Sequence, residues 1–238
     1  MRYISHAICQ MRLPILALAF FAMLPFYAQA ALKIDITQGN VEPLPIAVLD
    51  FESEGGVGQD LAKVVVADLE RSGLFRPVDR EAFIETQVGV NTRPKFKDWR
   101  VVNALALVTG RAVLQGDGRL RVEFRLWDVV AGQQMTGLQF FTKPENWRRI
   151  SHLVADAIYE RLTGETGYFD TRIVYVSESG PKNQRVKKLA VMDQDGFSQS
   201  ELTSGRALAL TPRFSPTAQE ITYLSFANNK PRVYLLNI

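Results

Sequence analysis

After Thr171 the chain repeats itself, and that repeat restricts its fold more than any other feature. Ile173-Val-Tyr175-Val-Ser177 returns 48 residues later as Ile221-Thr-Tyr223-Leu-Ser225. Lys188-Leu-Ala-Val-Met-Asp193 returns 44 residues later as Arg232-Val-Tyr-Leu-Leu-Asn237. The two offsets differ in the loop of the intervening hairpin, where length varies most easily. Helical spacing is absent from the region, which reads as strands and turns only. A four-stranded unit recurring every forty-odd residues predicts a β-propeller. Each blade of a propeller buries its faces on its neighbours, so several are needed to close a ring. Roughly one and a half such units fit into residues 171–238, and the sequence is therefore expected to hold the first one to two blades of a longer protein. Tyr175, Tyr223, Phe226 and Tyr234 are expected in the blade core.

Residues 31–164 carry a different pattern, that of one α+β domain with a mixed sheet and helices. Leu32, Ile34 and Ile36 alternate with Lys33, Asp35 and Thr37, the period of a half-buried strand. Pro45 to Phe51 reads as a buried strand. Gly58 to Ser72 reads as a helix with Leu61, Val64, Val65, Asp68 and Leu69 at inward spacing, stopped by Gly73. A second helix is expected near Asp98. Leu105–Leu114, Arg119–Val129 and Gln133–Phe141 form a predicted meander, with Gly116-Asp117-Gly118 and Ala131-Gly132 as turns. Thr142 to Glu145 resembles a capping box. The helix it would open places Trp147, Ile150, Val154, Ala157, Ile158 and Leu162 inward, and Gly164 ends it. Residues 165–170 are a short connector.

The N-terminus carries the marks of export. Arg2 and Arg12 precede an apolar run from Leu13 to Tyr27, followed by Ala28-Gln-Ala30, which predicts a signal peptide over residues 1–30 cleaved between Ala30 and Ala31. The run is broken by Pro14 and Pro25 and is short for a membrane span. No transmembrane segment is expected in the mature chain. The whole chain has 28 Lys and Arg against 25 Asp and Glu. Without Arg2 and Arg12 the balance is close to neutral, which gives no basis for nucleic-acid binding. Arg185-Val-Lys187-Lys188 is the densest basic spot and is expected to be a strand edge guarded by charge. Cys9 is the one cysteine and would leave with the signal, so the exported domain is expected to hold its core without a disulfide.

No catalytic set assembles from these residues, and the chain is not expected to be an enzyme or to hold a metal or cofactor. His152 is the one histidine outside the signal, and cysteine is absent there, so zinc sites and a Ser-His-Asp triad lack partners. His152 is expected on the polar flank of its helix, a solvated partner of Asp156 one turn on. Gly55-Gly-Val-Gly58 fits neither nucleotide-binding pattern, and Asp50, Glu52 and Glu54 would repel phosphate, so a turn is expected. Asp193-Gln-Asp195-Gly196 opens like a calcium loop, but the distal bidentate Glu is missing, and a hairpin tip accounts for it.

Asp68-Leu-Glu-Arg-Ser-Gly-Leu-Phe-Arg-Pro77, Val108-Thr-Gly110, Phe124-Arg-Leu-Trp-Asp128 and Gly164-Glu-Thr-Gly-Tyr-Phe-Asp-Thr-Arg-Ile173 resemble segments of the TolB family of the bacterial Tol-Pal envelope system. Met192-Asp-Gln-Asp-Gly196 and Thr211-Pro-Arg-Phe-Ser-Pro216 resemble its propeller repeat, with Thr217-Ala218 where many repeats continue Asp-Gly. The resemblance implies a periplasmic protein-binding adaptor. It implies two partners: the C-terminal domain of TolA, and the peptidoglycan-associated lipoprotein, met mainly through later blades. The role implied is in outer-membrane invagination during cell division and in outer-membrane integrity. It also assigns the mature N-terminal segment, Leu32, Lys33, Ile34, Asp35, Ile36 and Thr37, to TolA. A free strand-forming terminus suits strand addition to a partner sheet, although the same alternation would serve a strand paired within its own domain. Two other classes are a propeller-bearing peptidase whose catalytic domain lies beyond residue 238, and a polysaccharide-binding propeller.

Overall fold

The computed structural model describes residues 32–33 and 42–238. The expected signal peptide, its cleavage point at Ala30 and Ala31, and Ile34, Asp35, Ile36 and Thr37 lie outside the described residues. Strands β1 (Leu44–Val48), β2 (Glu52–Ser53), β3 (Phe75–Pro77), β4 (Ala106–Leu114), β5 (Leu120–Asp128) and β6 (Gln133–Thr142) make one mixed sheet. Its order is β3-β1-β4-β5-β6, with β2 also on β4. β1 runs parallel to β3 and β4, whereas β4, β5 and β6 are the antiparallel meander expected from the turns.

The strand alternation divides the core in two. Ile46 and Val48 face helices α1 (Val57–Arg71) and α3 (Trp147–Thr163), with Leu61, Val65, Leu69, Val154, Ile158 and Leu162 against them. Ala47, Leu49 and Leu107 face the opposite layer, where Trp99 of the short helix α2 (Phe96–Val101) and Trp127 pack. Trp127 donates its indole N–H to the Thr109 hydroxyl at 3.1 Å, as a buried indole requires. The strand expected over residues 45–51 ends at Val48, and a separate two-residue strand, β2, follows at Glu52. The chain turns after Val48 because Leu49 donates to the Val108 carbonyl and Phe51 to the Gly58 carbonyl. Gly58 is forced by that approach: a Cβ there would lie 1.9 Å from the Phe51 oxygen.

α3 opens differently from expectation. A 3-10 turn, Pro144–Asn146, precedes it, and its N-cap Asn146 makes no side-chain cap hydrogen bond, so the Thr142–Glu145 capping box does not form. Its end is as expected, with Gly164 at φ 84°, the left-handed conformation that costs glycine least. The following residues are tied back to the helix: Asp156 accepts the backbone N–H of Phe169 at 2.7 Å and of Asp170 at 3.0 Å.

From Arg172 onward the regular elements are strands, apart from one 3-10 turn at Ala227–Asn229. β7 (Arg172–Ser179), β8 (Val186–Asp193) and β9 (Ser200–Glu201) make one antiparallel sheet, and β10 (Ala209–Phe214), β11 (Glu220–Ser225) and β12 (Arg232–Asn237) make another. Each has three strands where the repeat predicts four. The internal repeat equates β7 with β11 and β8 with β12, so β10 and β9 are the first and last strands of one unit. Among the described residues, the first sheet lacks the counterpart of β10 and the second that of β9. Leu189, Ala190, Val191, Ala209 and Ile221 are the buried apolar residues of the two sheets. Tyr175, Tyr223, Phe226 and Tyr234 are half-buried instead of core, and Tyr223 stacks on Tyr234 across paired strands at 5.7 Å. The basic spot is not a guarded edge either. Arg185 and Lys187 pair with Glu178, and Lys188 with Glu201, on the flanking strands.

Candidate functional site

The N-terminal segment is visible at its first two assigned positions. Leu32 is half-buried and packs on the α1–α3 core. Lys33 is exposed, and its ammonium lies near Gly164, where a Cβ would approach it to 3.1 Å. Lys33, Thr136, Leu138 and Arg161 line a shallow hollow between β6 and the end of α3.

A second constellation joins the helix layer to the first propeller sheet, and sequence reasoning missed it. Asp68 on α1 is fully buried, and its carboxylate meets the Nδ1 of His152 on α3 at 2.6 Å. The other Asp68 oxygen accepts from Arg71 at 2.8 Å and from Gln194, in the turn after β8, at 3.4 Å. His152 is only 2% exposed. Its Nε2 has no hydrogen-bond partner and looks toward Asp195 Oδ2 at 3.7 Å. Asp195 is held by the Arg148 guanidinium and by the backbone N–H of Phe197. Arg148 lies over the Phe197 ring, 3.7 Å from its centre. Helices α1 and α3 and the β8–β9 turn thus meet on one buried polar cluster.

The structure departs from two expectations of the sequence. His152 is not a solvated partner of Asp156, which is occupied by the chain after α3. Its ring is turned inward because Asp68, at an inward position of α1, needs a partner in the core. The Asp193–Gly196 segment is a turn, with Gly196 donating to the Asp193 carbonyl. Yet the Asp195 side chain is buried in the junction, where a hairpin tip would leave it in solvent. The available signal was Asp68 itself, a carboxylate on an apolar helix face.

Burial works against a charged His152, but the hydrogen bond and charge of Asp68 and the charge of Asp195 outweigh it and Arg148, and hold its pKa above the ordinary 6.5. Burial likewise disfavours the Asp195 carboxylate, but Arg148, the Phe197 N–H and His152 bring its pKa below 3.8. For Asp156 burial dominates: together with the charges of Asp170 and Asp68 it raises the pKa above 3.8, despite the two N–H donors. Asp68 and His152 have the geometry of the orienting half of a catalytic triad. At the far nitrogen, however, stands a carboxylate where a nucleophile would have to be. Asp68, His152 and Asp195 also place ligand atoms within 4.8 Å of one another. Arg148 and Arg71 already neutralise the two carboxylates there, so a further cation would meet fixed positive charge. Beside the cluster a cleft of about 700 Å³ opens, lined by Glu145, Arg148, Arg149, His152, Arg172 and Gln219 among others. Among the described residues, no helix is long and apolar enough to cross a membrane.

The family model of the TolB amino-terminal domain matches residues 32–135, and that of the TolB beta propeller domain matches residues 159–238. The crystal structure of TolB from Acinetobacter baumannii is similar over 87% of this chain at 29% identity with a TM-score of 0.73. The chain spans 50% of the length of that protein. The C-terminal domain of LpoB from Salmonella enterica is similar over 44% of this chain and 87% of its own, at 15% identity and a TM-score of 0.34. PelC from Paraburkholderia phytofirmans is similar over 51% of this chain and 90% of its own, at 15% identity and a TM-score of 0.36. With the two TolB domain models matched in order over residues 32–135 and 159–238, and 87% of this chain similar to a TolB structure, the chain belongs to the TolB family.

Proposed function

We propose that this chain is the front part of a periplasmic, non-catalytic adaptor of the Tol-Pal system. In this reading residues 1–30 are a signal peptide, 31–164 the α+β domain, 165–170 the connector and 171–238 the first one to two blades. The adaptor links the C-terminal domain of TolA to the peptidoglycan-associated lipoprotein, serving outer-membrane invagination at division and outer-membrane integrity. The observation that carries the reading is the match of both TolB domains in their family order. In the Asp68–His152–Asp195 cluster the free imidazole nitrogen faces a carboxylate in a buried site, where a catalytic triad would need a nucleophile.

The TolA site proposed is Leu32, Lys33, Ile34, Asp35, Ile36 and Thr37. Leu32 half-buried beside an exposed Lys33 is the alternation that the first two residues of a half-buried strand should have. A strand added to a partner sheet binds through main-chain hydrogen bonds, with alternate side chains in pockets. The test is titration calorimetry of the TolA C-terminal domain against the full-length mature protein, with and without residues 31–39. Deletion should abolish TolA binding and leave lipoprotein binding intact. Ile34→Asp should weaken TolA binding more than Asp35→Ala, since a charge on the buried face is desolvated without a partner. Equal TolA affinity with and without residues 31–39 would reject the site.

A further inference from the structure

The junction between the helix layer and the first propeller sheet rests on one ionisable ring with a carboxylate on each side. Asp68 meets one nitrogen of His152 at 2.6 Å, and Asp195 stands 3.7 Å from the other. Asp68 belongs to α1, His152 to α3, and Asp195 to the turn between β8 and β9. All three side chains are almost wholly shielded from solvent, and His152 Nε2 has no hydrogen-bond partner. We propose that His152 is a proton-controlled latch, which when charged bridges Asp68 to Asp195 and holds the β8–β9 turn against the helix pair, and when neutral lets that turn loosen.

The physical reason lies in what each protonation state places between the carboxylates. A charged imidazolium offers an N–H and a positive charge to both neighbours at once. A neutral ring that keeps its Nδ1 proton for Asp68 turns a lone pair toward Asp195 in a site screened from water, where opposing negative character is costly. Asp195 then keeps only Arg148 and the Phe197 N–H.

Each element packed against the ring brings polar or charged groups to it. α1 supplies Asp68, itself bound by Arg71. The β8–β9 turn supplies Asp195, and Gln194 reaches Asp68. α3 supplies Arg148, which opposes the imidazolium, and Asp156, whose carboxylate is held by the chain at Phe169 and Asp170. In the adjoining cleft Arg149 is paired with Asp170 and Arg172 with Gln219, while Glu145 and Asp193 also line it. The folded pKa of His152 is above 6.5. Its contribution is therefore fully present below 6.5 and lost as pH rises through the folded value. The junction tightens in acid and loosens toward alkaline pH.

The experiment uses the whole chain with Cys9→Ser, and with donor and acceptor dyes on cysteines introduced at the exposed positions Glu70 of α1 and Ser200 of β9. Energy transfer is followed from about pH 5 to about pH 10, spanning the ordinary imidazole value, and the His152 ring is followed by NMR over the same series. The expected result is a narrow distance distribution in acid that broadens with the midpoint of the His152 titration. That midpoint should fall in Asp195→Asn, and the broadening should vanish in His152→Gln. A distribution unchanged while the ring titrates overturns the latch, as does a ring that keeps one charge state throughout. The unsubstituted series decides the matter even if His152→Gln fails to fold.

Discussion

Replacing Asp68 by alanine tests the junction at its most buried point. Asp68 has no solvent exposure, so its removal leaves the Nδ1 of His152 without a partner and Gln194 without its acceptor. Breaking a buried ion pair by deleting one partner costs about 3–5 kcal/mol. Part of this is recovered, because His152 can become neutral, and Arg71, with a side chain 39% exposed, can return to water. About 3 kcal/mol is the expected loss, the lower end of that range. For a chain of this size it lowers Tm by about 6–12 °C. Urea and thermal unfolding followed by circular dichroism measure it, with Arg71→Ala as a control expected to cost under about 1 kcal/mol. A double-mutant cycle with His152→Ala isolates the pair and should give a coupling of at least about 1 kcal/mol. A loss below about 1 kcal/mol for Asp68→Ala, or strict additivity in the cycle, would show that the pair does not hold the junction.

Gly58→Ala should destabilise by at least about 2 kcal/mol in urea unfolding, because its Cβ would sit 1.9 Å from the Phe51 carbonyl oxygen. Gly116→Ala, which meets nothing within 4 Å, should stay within about 0.5 kcal/mol of the parent. For Asp195, the folded pKa lies below 3.8, so its contribution is present above 3.8 and lost as pH falls through the folded value. Urea midpoints measured through that acid range should fall less steeply in Asp195→Asn than in the parent, and parallel curves would contradict the burial of that carboxylate in the junction.

What the amino-acid order determines by itself is the local period and the places where it must break. The alternation in Leu105–Leu114, Arg119–Val129 and Gln133–Phe141 became β4, β5 and β6 within a residue or two. Glycine at positions 73 and 164 marked the ends of α1 and α3 because few other residues take a positive φ there. The repeat of Ile173–Ser177 in Ile221–Ser225 placed two equivalent hairpins, since identical strand patterns make identical pairings. Short strands and caps were less legible. The split between β1 and β2 and the absent capping box at Thr142 depend on hydrogen bonds to Val108, Gly58 and the 3-10 turn, which no local pattern encodes.

The junction was decided by the tertiary structure alone. Helical spacing put Asp68 among inward positions, and a buried carboxylate needs a partner, but spacing within one helix cannot say which one. His152 is 84 residues away, and Gln194 is 126. His152 could satisfy Asp156 on its own helix or Asp68 on another, and the local pattern favours the first. Packing α1 on α3 removes water from the Asp68 side, and folding the β8–β9 turn onto both removes it from the other. Once both sides are dry, each buried polar group must find its partner within the protein, and that requirement turns His152 away from Asp156 and toward Asp68.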